Sequence, residues 1–319
     1  MPSTRFPSPH IAVVGSLNMD LVLRVSRCPA PGETLLGHDF AQHPGGKGAN
    51  QAVACARLGA QVRMIGKLGN DAFAAPLRAT LDAAGVDHRH VSTDTGASGI
   101  AMIVVEDNGQ NRIMLAPGAN GALTQADVRL AADDIHSAAL LLCQLEVPTD
   151  CVRIAFAEAR GAGVPILFNP APAIPLDSDL LAVDYLVVNE TEAALISGLP
   201  VTTRAEAMAA ARRLLRGGAG AILLTLGADG ALIADTNGVR HYPAQPAQVV
   251  DTTAAGDTFI GGMAAGLLEG MVIDDAVQLG MRAAALCIGR PGAQPSIPFR
   301  HELDDLTPGD PKPDTTRKS

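Results

Sequence analysis

Residues 251–259 read DTTAAGDTF, with two carboxylates, Asp251 and Asp257, at either side of a run of Thr, Ala and Gly. Ala255, Gly256 and Asp257 open a predicted helix, so their amide N–H groups lack intrahelical acceptors and face the preceding loop with the positive end of the helix dipole. Side chains this small leave those amides uncovered for an anion, and a carboxylate at Asp257 is placed to accept a hydroxyl proton. The same residues also read as an ordinary helix start with a polar cap. A second group, HPGGKGAN at 43–50, bends on Gly45, Gly46 and Gly48 and presents Lys47 and Asn50. Such donors suit a polyhydroxylated molecule. It is not a Walker A loop, because Ala41 and Gly48 occupy the two decisive positions, and VVGSLNMD does not match the dinucleotide fingerprint G-x-G-x-x-G. In NMD, Asn18 and Asp20 stand two apart on an extended segment and therefore face the same side.

These residues need a frame. IAVVGSLNMD reads as a short buried strand entering a polar turn, and ETLLGHDF, bounded by APG and HPGG, as an exposed strand. GANQAVACARLGA has helical spacing and a stop at Gly59. A strand, QVRMIGKLG, a helix, DAFAAPLRATLDAAGV, and a hairpin turning at DNGQN follow. From Leu123 the strands ALLLCQL, VPILFN, DYLVVN and GAILLTLG alternate with helices beginning near Thr149, Glu190 and Thr203. Such alternation predicts an α/β protein with a mostly parallel central sheet between two helical layers. Strands at about 23–43 and 98–116 interrupt the pattern and would form a small β-sheet lid. Two small-residue helices close the domain, expected to span 11–306, with disordered tails at 1–10 and 307–319. Ligands of open α/β sheets sit beyond the carboxyl ends of the strands, which is where Glu146 stands in QLEVP.

The chain has 319 residues, 47% hydrophobic and 18% charged, with 33 Gly and 22 Pro, as a globular protein of many short elements requires. Its net charge of -9 argues against nucleic-acid or anionic-membrane partners, so any phosphate must be held locally. Five cysteines without a CxxC pair argue against a disulfide framework or zinc knuckle, and a reducing, cytoplasmic compartment is expected. The N-terminus lacks the pattern of a secretory signal, and no apolar run approaches the roughly 20 residues of a membrane span.

GGKGANQA, NPAP at 169–172, NETE at 189–192, TLGADG at 225–230, DTTAAGDTF and GAQPSIP at 292–298 stand in the order and spacing of the ribokinase-like sugar kinases, the phosphofructokinase-B family. The chain resembles that family from about Ile11 to Pro298. The resemblance implies a ribokinase-like three-layer sandwich and transfer of the γ-phosphoryl of ATP to a sugar hydroxyl, with the 5-hydroxyl of ribose as the expected acceptor. It makes Asp257 the general base and the amides of Ala255, Gly256 and Asp257 the anion hole. By the same resemblance Asn18, Asp20, Gly46, Lys47, Asn50 and Glu146 grip the sugar. Asn189 lies near the phosphates, and Glu192 serves Mg²⁺ through water. Thr225, Gly227, Asp229 and Gly230 follow the nucleotide, and Met281 falls near the adenine. A potassium ion would take Asp251, the carbonyls of Thr253, Cys287, Arg290 and Gly292, and Ser296. Lid strands are expected to join two copies as a homodimer. Deoxyribose, another pentose or a ketose remain alternative acceptors. A nucleoside would want aromatic surface, which a chain with no Trp, two Tyr and seven Phe scarcely offers. A sugar-binding regulator without catalysis is disfavoured by the intact Asp257 and the glycine before it.

Overall fold

A computed structural model describes residues 9–304. Its strands are β1 (His10–Val14), β2 (Asn18–Val25), β3 (Asp39–Gly45), β4 (Gln61–Leu68), β5 (Asp87–Thr93), β6 (Gly99–Glu106), β7 (Asn111–Ala116), β8 (Leu140–Cys143), β9 (Ile166–Phe168), β10 (Tyr185–Asn189), β11 (Ala221–Thr225), β12 (Ala231–Asp235) and β13 (Gly238–Tyr242). Its helices are α1 (Lys47–Arg57), α2 (Ala74–Ala84), α3 (Gln125–Leu130), α4 (Ala132–His136), α5 (Thr149–Ala162), α6 (Ser178–Leu181), α7 (Glu190–Ser197), α8 (Arg204–Arg216), α9 (Ala255–Leu268), α10 (Ile273–Cys287) and α11 (Arg300–Asp304).

The nine-stranded sheet runs β13-β12-β11-β10-β9-β8-β1-β4-β5. It is parallel from β11 to β5, with β12 and β13 added antiparallel at one edge. Successive side chains of a strand face opposite ways, and both faces here are covered. Ile11, Val13, Leu142 and Leu223 belong to one buried cluster with α1, α9 and α10, while Ala12, Val14, Leu141 and Leu224 belong to a second with α5 and α8. The expected parallel sheet between helical layers is therefore present.

β3-β2-β6-β7 form the separate four-stranded sheet expected as a lid. Two boundaries differ from expectation. Residues 33–38, read as a strand, are irregular: Glu33 closes a turn on the Ala30 amide and pairs with Arg27, and Leu36 is 90% exposed with no sheet to join. The strand lies later and includes Pro44, which is tolerated because β3 is an edge. At the other boundary, His10 belongs to β1 and is buried, its Nε2 2.8 Å from the Asp134 carbonyl, so the domain begins before Ile11. The rest of the expected tails, 1–8 and 307–319, and residues 305–306 lie outside the described residues. No helix among the described residues is long and apolar enough to cross a membrane.

Candidate active site

The chain passes from β1 to β4 on one side of the sheet and returns to β8 on the other, so the crevice beyond β1 and β8 is a topological switch point. Ser16 and Asn18 leave β1 there and Glu146 follows β8. Glu146 Oε2 accepts from Ser16 Oγ at 2.6 Å, from the Lys47 amide at 3.1 Å and from Asn18 Nδ2 at 3.3 Å. Helix α1 begins against the same turn: the Gly48 amide donates to Ser16 Oγ and the Ala49 amide to the Ser16 carbonyl. Its first-turn donors are thus consumed in fixing the helix, which leaves side chains to meet a ligand. Gly46 makes this approach possible, since its φ is 89° and a Cβ there would lie 2.7 Å from the Asn18 nitrogen. Beside these groups is a cleft of about 370 Å³, walled by Asn18, Asn120 and Glu146 and by Leu115 of the lid.

Asp257, only 8% exposed, lies on α9 and is held from α1: Asn50 Nδ2 donates to its Oδ2 at 3.0 Å and Gln51 Nε2 to its Oδ1 at 2.9 Å. Gln51 is itself oriented by Gln144 Nε2, which donates to its Oε1 at 2.6 Å, while Gln51 Nε2 also reaches Asn169 Oδ1 at 3.2 Å. Small residues set the helix spacing. A Cβ on Gly261 of α9 would stand 2.3 Å from the Ala54 Cβ of α1, so a larger residue would push Asp257 away from its donors.

A second cleft of about 240 Å³ is lined by Asp257 itself with Lys47, Asn189, Glu192, Thr225 and Gly256. Asn189 and Glu192 form a reciprocal capping box at α7, with Asn189 Oδ1 accepting from the Glu192 amide at 2.8 Å and Glu192 Oε2 from the Asn189 amide at 2.9 Å. The same two side chains therefore cap α7 and line the cleft. At the start of α9, Ala254 adopts the left-handed conformation with φ 59°, unusual without glycine. This corrects the expected anion hole in one respect. The Ala255 amide turns back onto the Thr252 carbonyl at 3.2 Å, whereas those of Gly256 and Asp257 have no acceptor among the described residues.

Lys47 stands among four carboxylates. Burial opposes its charge, but Asp257, Glu146, Glu192 and Asp20 outweigh burial and hold the ammonium above its ordinary value. Burial, then the neighbouring Glu146 and Asp257, push Asp20 up to about 7 despite Lys47. Burial also raises Glu192. An acidic cleft of this kind favours a polyphosphate that arrives with a divalent cation.

The residues expected around potassium converge on the loop before α9. Asp251 Oδ1 accepts from the Thr253 amide at 2.9 Å and Oδ2 from the Gly292 amide at 2.9 Å. The Cys287 sulfur lies 3.0 Å from Ser296 Oγ and 3.7 Å from the Thr253 carbonyl. The Cys287 carbonyl already accepts from the Arg290 amide at 3.0 Å. Beside them the Gln294 side chain is buried with neither amide atom paired, and the set of one carboxylate with carbonyl and hydroxyl oxygens fits a hard monovalent cation. Arg57 of α1 grips the segment after α10 through the carbonyls of Gln294 and Ile297 at 2.6 and 2.8 Å.

The nucleotide loop is only partly assembled. Thr225 lines the second cleft, but Gly227, Asp229 and Gly230 do not, and Asp229 turns outward to Arg204 at 3.2 Å. Met281 is packed into the core. Ser16, Gln51, Asn120, Gln144 and Asn169 carried no expectation of their own. NPAP contained Asn169 without giving it a partner, and Gln51 follows Asn50 directly, a polar residue in an otherwise small, apolar helix.

The pfkB family carbohydrate kinase model matches residues 8–300. A ribokinase of Schizosaccharomyces pombe is 41% identical over 307 residues, covering 92% of this chain and 96% of its own. A deoxyribokinase of Salmonella typhi is 38% identical, covering 92% and 97%. The structure of Arabidopsis thaliana ribokinase complexed with ribose and ATP superposes with a TM-score of 0.85 at 31% identity, covering 94% of this chain and 98% of that one. With the family model matched over residues 8–300 and these relatives similar over nearly their whole length, the chain belongs to the pfkB family of carbohydrate kinases.

Proposed function

We propose that the chain transfers the γ-phosphoryl group of ATP to the 5-hydroxyl of D-ribose, giving ribose 5-phosphate and ADP. The observation that carries this reading is Asp257, fixed by Asn50 and Gln51 in the cleft that also holds Lys47, Asn189 and the start of α9. Ribose lies in the cleft of Asn18 and Glu146, with Asp20, Gly46, Lys47 and Asn50 around it. Carboxylates accept from its hydroxyls and the amides and Lys47 donate. ATP lies with its phosphates at Asn189, Lys47 and the start of α9, and its nucleoside along Thr225 and the loop of Gly227, Asp229 and Gly230.

Asp257 takes the proton of the 5-hydroxyl, the freed oxygen bonds to the γ-phosphorus, and the bond to the ADP oxygen breaks. The amides of Gly256 and Asp257 meet the charge on the moving group, and Lys47 adds its own. Little covalent chemistry falls to the protein, so alignment of hydroxyl, base and phosphorus supplies most of the effect. Glu192 and Asn189 would hold Mg²⁺ through water, and this ion neutralises phosphate charge in a cleft already crowded with carboxylates. Asp251, Ser296 and the carbonyls of Thr253, Cys287, Arg290 and Gly292 would hold K⁺, which stiffens the loop before α9. The lid excludes water that would compete for the phosphoryl group.

The test is ADP release with ribose, deoxyribose, fructose, ketogluconate and nucleosides, with K⁺ or Na⁺ and with or without Mg²⁺. Turnover of ribose that needs Mg²⁺ and rises with K⁺ is expected; no turnover on any acceptor would remove the kinase assignment. Deoxyribose is the second reading, favoured by the similar deoxyribokinase.

In this reading the domain from β1 to α11 acts as one catalytic unit in the cytoplasm, a location supported by five unpaired cysteines. Two copies associate through their lids. Support comes from one lid face, where cross-strand register groups Leu23 and Phe40 with Met102 and Met114, exposed by 37%, 57%, 50% and 54%. Light scattering should give a dimer that Met114→Glu weakens; a monomeric parent would refute it.

A further inference from the structure

We infer that Asn120 is a positioning residue that sets which polar atom Asn18 shows to the sugar, and so contributes to the choice among sugars that differ by one ring hydroxyl. The inference rests on the kinase reading above and deepens it.

Backbone polarity dictates the orientation of Asn120. The Leu17 N–H donates to Asn120 Oδ1 at 2.9 Å, and the Leu17 carbonyl accepts from Asn120 Nδ2 at 3.0 Å. A backbone N–H can only donate and a carbonyl only accept, so this amide cannot be reversed. Its second Nδ2 hydrogen then needs an acceptor, which is Asn18 Oδ1 at 2.7 Å. Asn18 is thereby fixed with its carbonyl already engaged by Asn120 and its NH₂ left to meet other partners. Its Nδ2 reaches Glu146 Oε2 at 3.3 Å and has a further hydrogen to give. Asn120 is 1% exposed and Asn18 4%, so neither exchanges these partners readily with water.

A third strand makes room for the pair. A Cβ on Gly99 would lie 2.1 Å from Asn120 Nδ2 and 2.3 Å from Asn18 Oδ1. Asn18 begins β2, Gly99 begins β6 and Asn120 follows β7, so the pair sits at the root of the lid. A sugar hydroxyl that meets Asn18 must therefore accept from it, and its own proton must go to a carboxylate, for which Glu146 and Asp20 are at hand. A sugar lacking that hydroxyl leaves the Asn18 N–H unpaired, which a built site rejects strongly.

Asn120→Asp inverts the arrangement, because the new carboxylate cannot donate to Asn18, whose amide then turns its carbonyl to the cleft. Asn120→Ser, smaller and uncharged, frees Asn18 to rotate and serves as the second variant. Gly99→Ala displaces both amides without touching their chemistry. Each is assayed with ribose and its 1-, 2- and 3-deoxy analogues, with KM and kcat separated and folding followed by thermal melting. The parent should discriminate against one analogue in particular. The variants should lose that discrimination by about tenfold or more, through the ribose KM, with discrimination against the other analogues and the ATP KM held within about threefold. A fall by one common factor on all four sugars, or no change on any, would make Asn120 merely structural and overturn the inference while the kinase reading stands. Absence of ribose turnover by the parent would overturn both.

Discussion

Replacing Asp257 by Asn should separate folding from chemistry at one atom. The carboxylate accepts one hydrogen bond on each oxygen, from Gln51 Nε2 at 2.9 Å and Asn50 Nδ2 at 3.0 Å. An amide of the same shape keeps one acceptor and turns an NH₂ against the other donor. One charge-assisted bond is lost and a buried donor is stranded, costing about 1–3 kcal/mol. Removing this charge relieves Asp20 and Glu192, both held up in part by Asp257, but takes from Lys47 its leading carboxylate partner, so the two effects oppose one another. At an unfolding entropy near 2 cal/mol/K per residue, a chain of this size should melt roughly 2–5 °C lower. Loss of a general base costs roughly 10²–10⁴ in rate. Coupled ADP release at saturating ribose and ATP should thus show kcat down by at least about a hundredfold, while calorimetry shows ribose bound within about fivefold of the parent. A kcat within tenfold of the parent would remove Asp257 as the base. A loss of ribose affinity large enough to account for the rate would make it a sugar ligand instead.

Asp20 should give the fold a pH dependence. Its folded value of about 7 lies above the ordinary 3.8, so it is neutral in both states at low pH. As pH rises from 4 to 7 the unfolded chain ionises more readily than the fold, and stability falls by up to about 4 kcal/mol, fully withdrawn above 7. Asp20→Asn should therefore raise the melting temperature about 4 °C more at pH 8 than at pH 5, and an equal effect at both would contradict the assignment. Gly46→Ala forces a Cβ at φ 89° to within 2.7 Å of the Asn18 nitrogen; the melt should fall by more than about 2 °C and the ribose KM rise, and a variant with parental KM would detach this loop from the sugar. Gly256→Ala meets nothing within 4 Å and sits in a helix, so stability should hold or rise by up to about 1 kcal/mol while kcat drops, up to about a hundredfold. Parental kcat in that variant would remove the amide from the anion hole.

The frame was legible wherever local pattern and tertiary role agreed. Helix α1 shows its helical spacing and its glycine stop, and the alternation after Leu123 announces parallel strands. Residues 33–38 misled because β-like composition cannot make a strand without a free edge, and β2 offers its edge to 39–45. Residues singled out from short motifs, such as Lys47 and Asp257, come together along one cleft. Those defined by distant partners were not singled out: Gln51 meets Asp257 across 206 residues, and Asn120 meets Leu17 across 103. An isolated amide in a sequence does not announce its partner. The Ala255 amide was misjudged for another reason, since the turn onto Thr252 depends on the left-handed Ala254, a conformation its residue type disfavours.

Lys47, Asn50 and Gln51 belong to a single helix, whose first residue lines the second cleft and whose next polar pair holds Asp257. The interval between Lys47 and the donors of Asp257 is therefore a length of α-helix, about 4.5 Å from Lys47 to Asn50 at 1.5 Å per residue. Helical rise acts as the gauge, and no loop needs tuning to keep the two in step. Such a gauge tolerates exchange of side chains but not of count: one residue inserted between Lys47 and Asn50 would turn the following amides by about 100° and leave Asp257 without either donor.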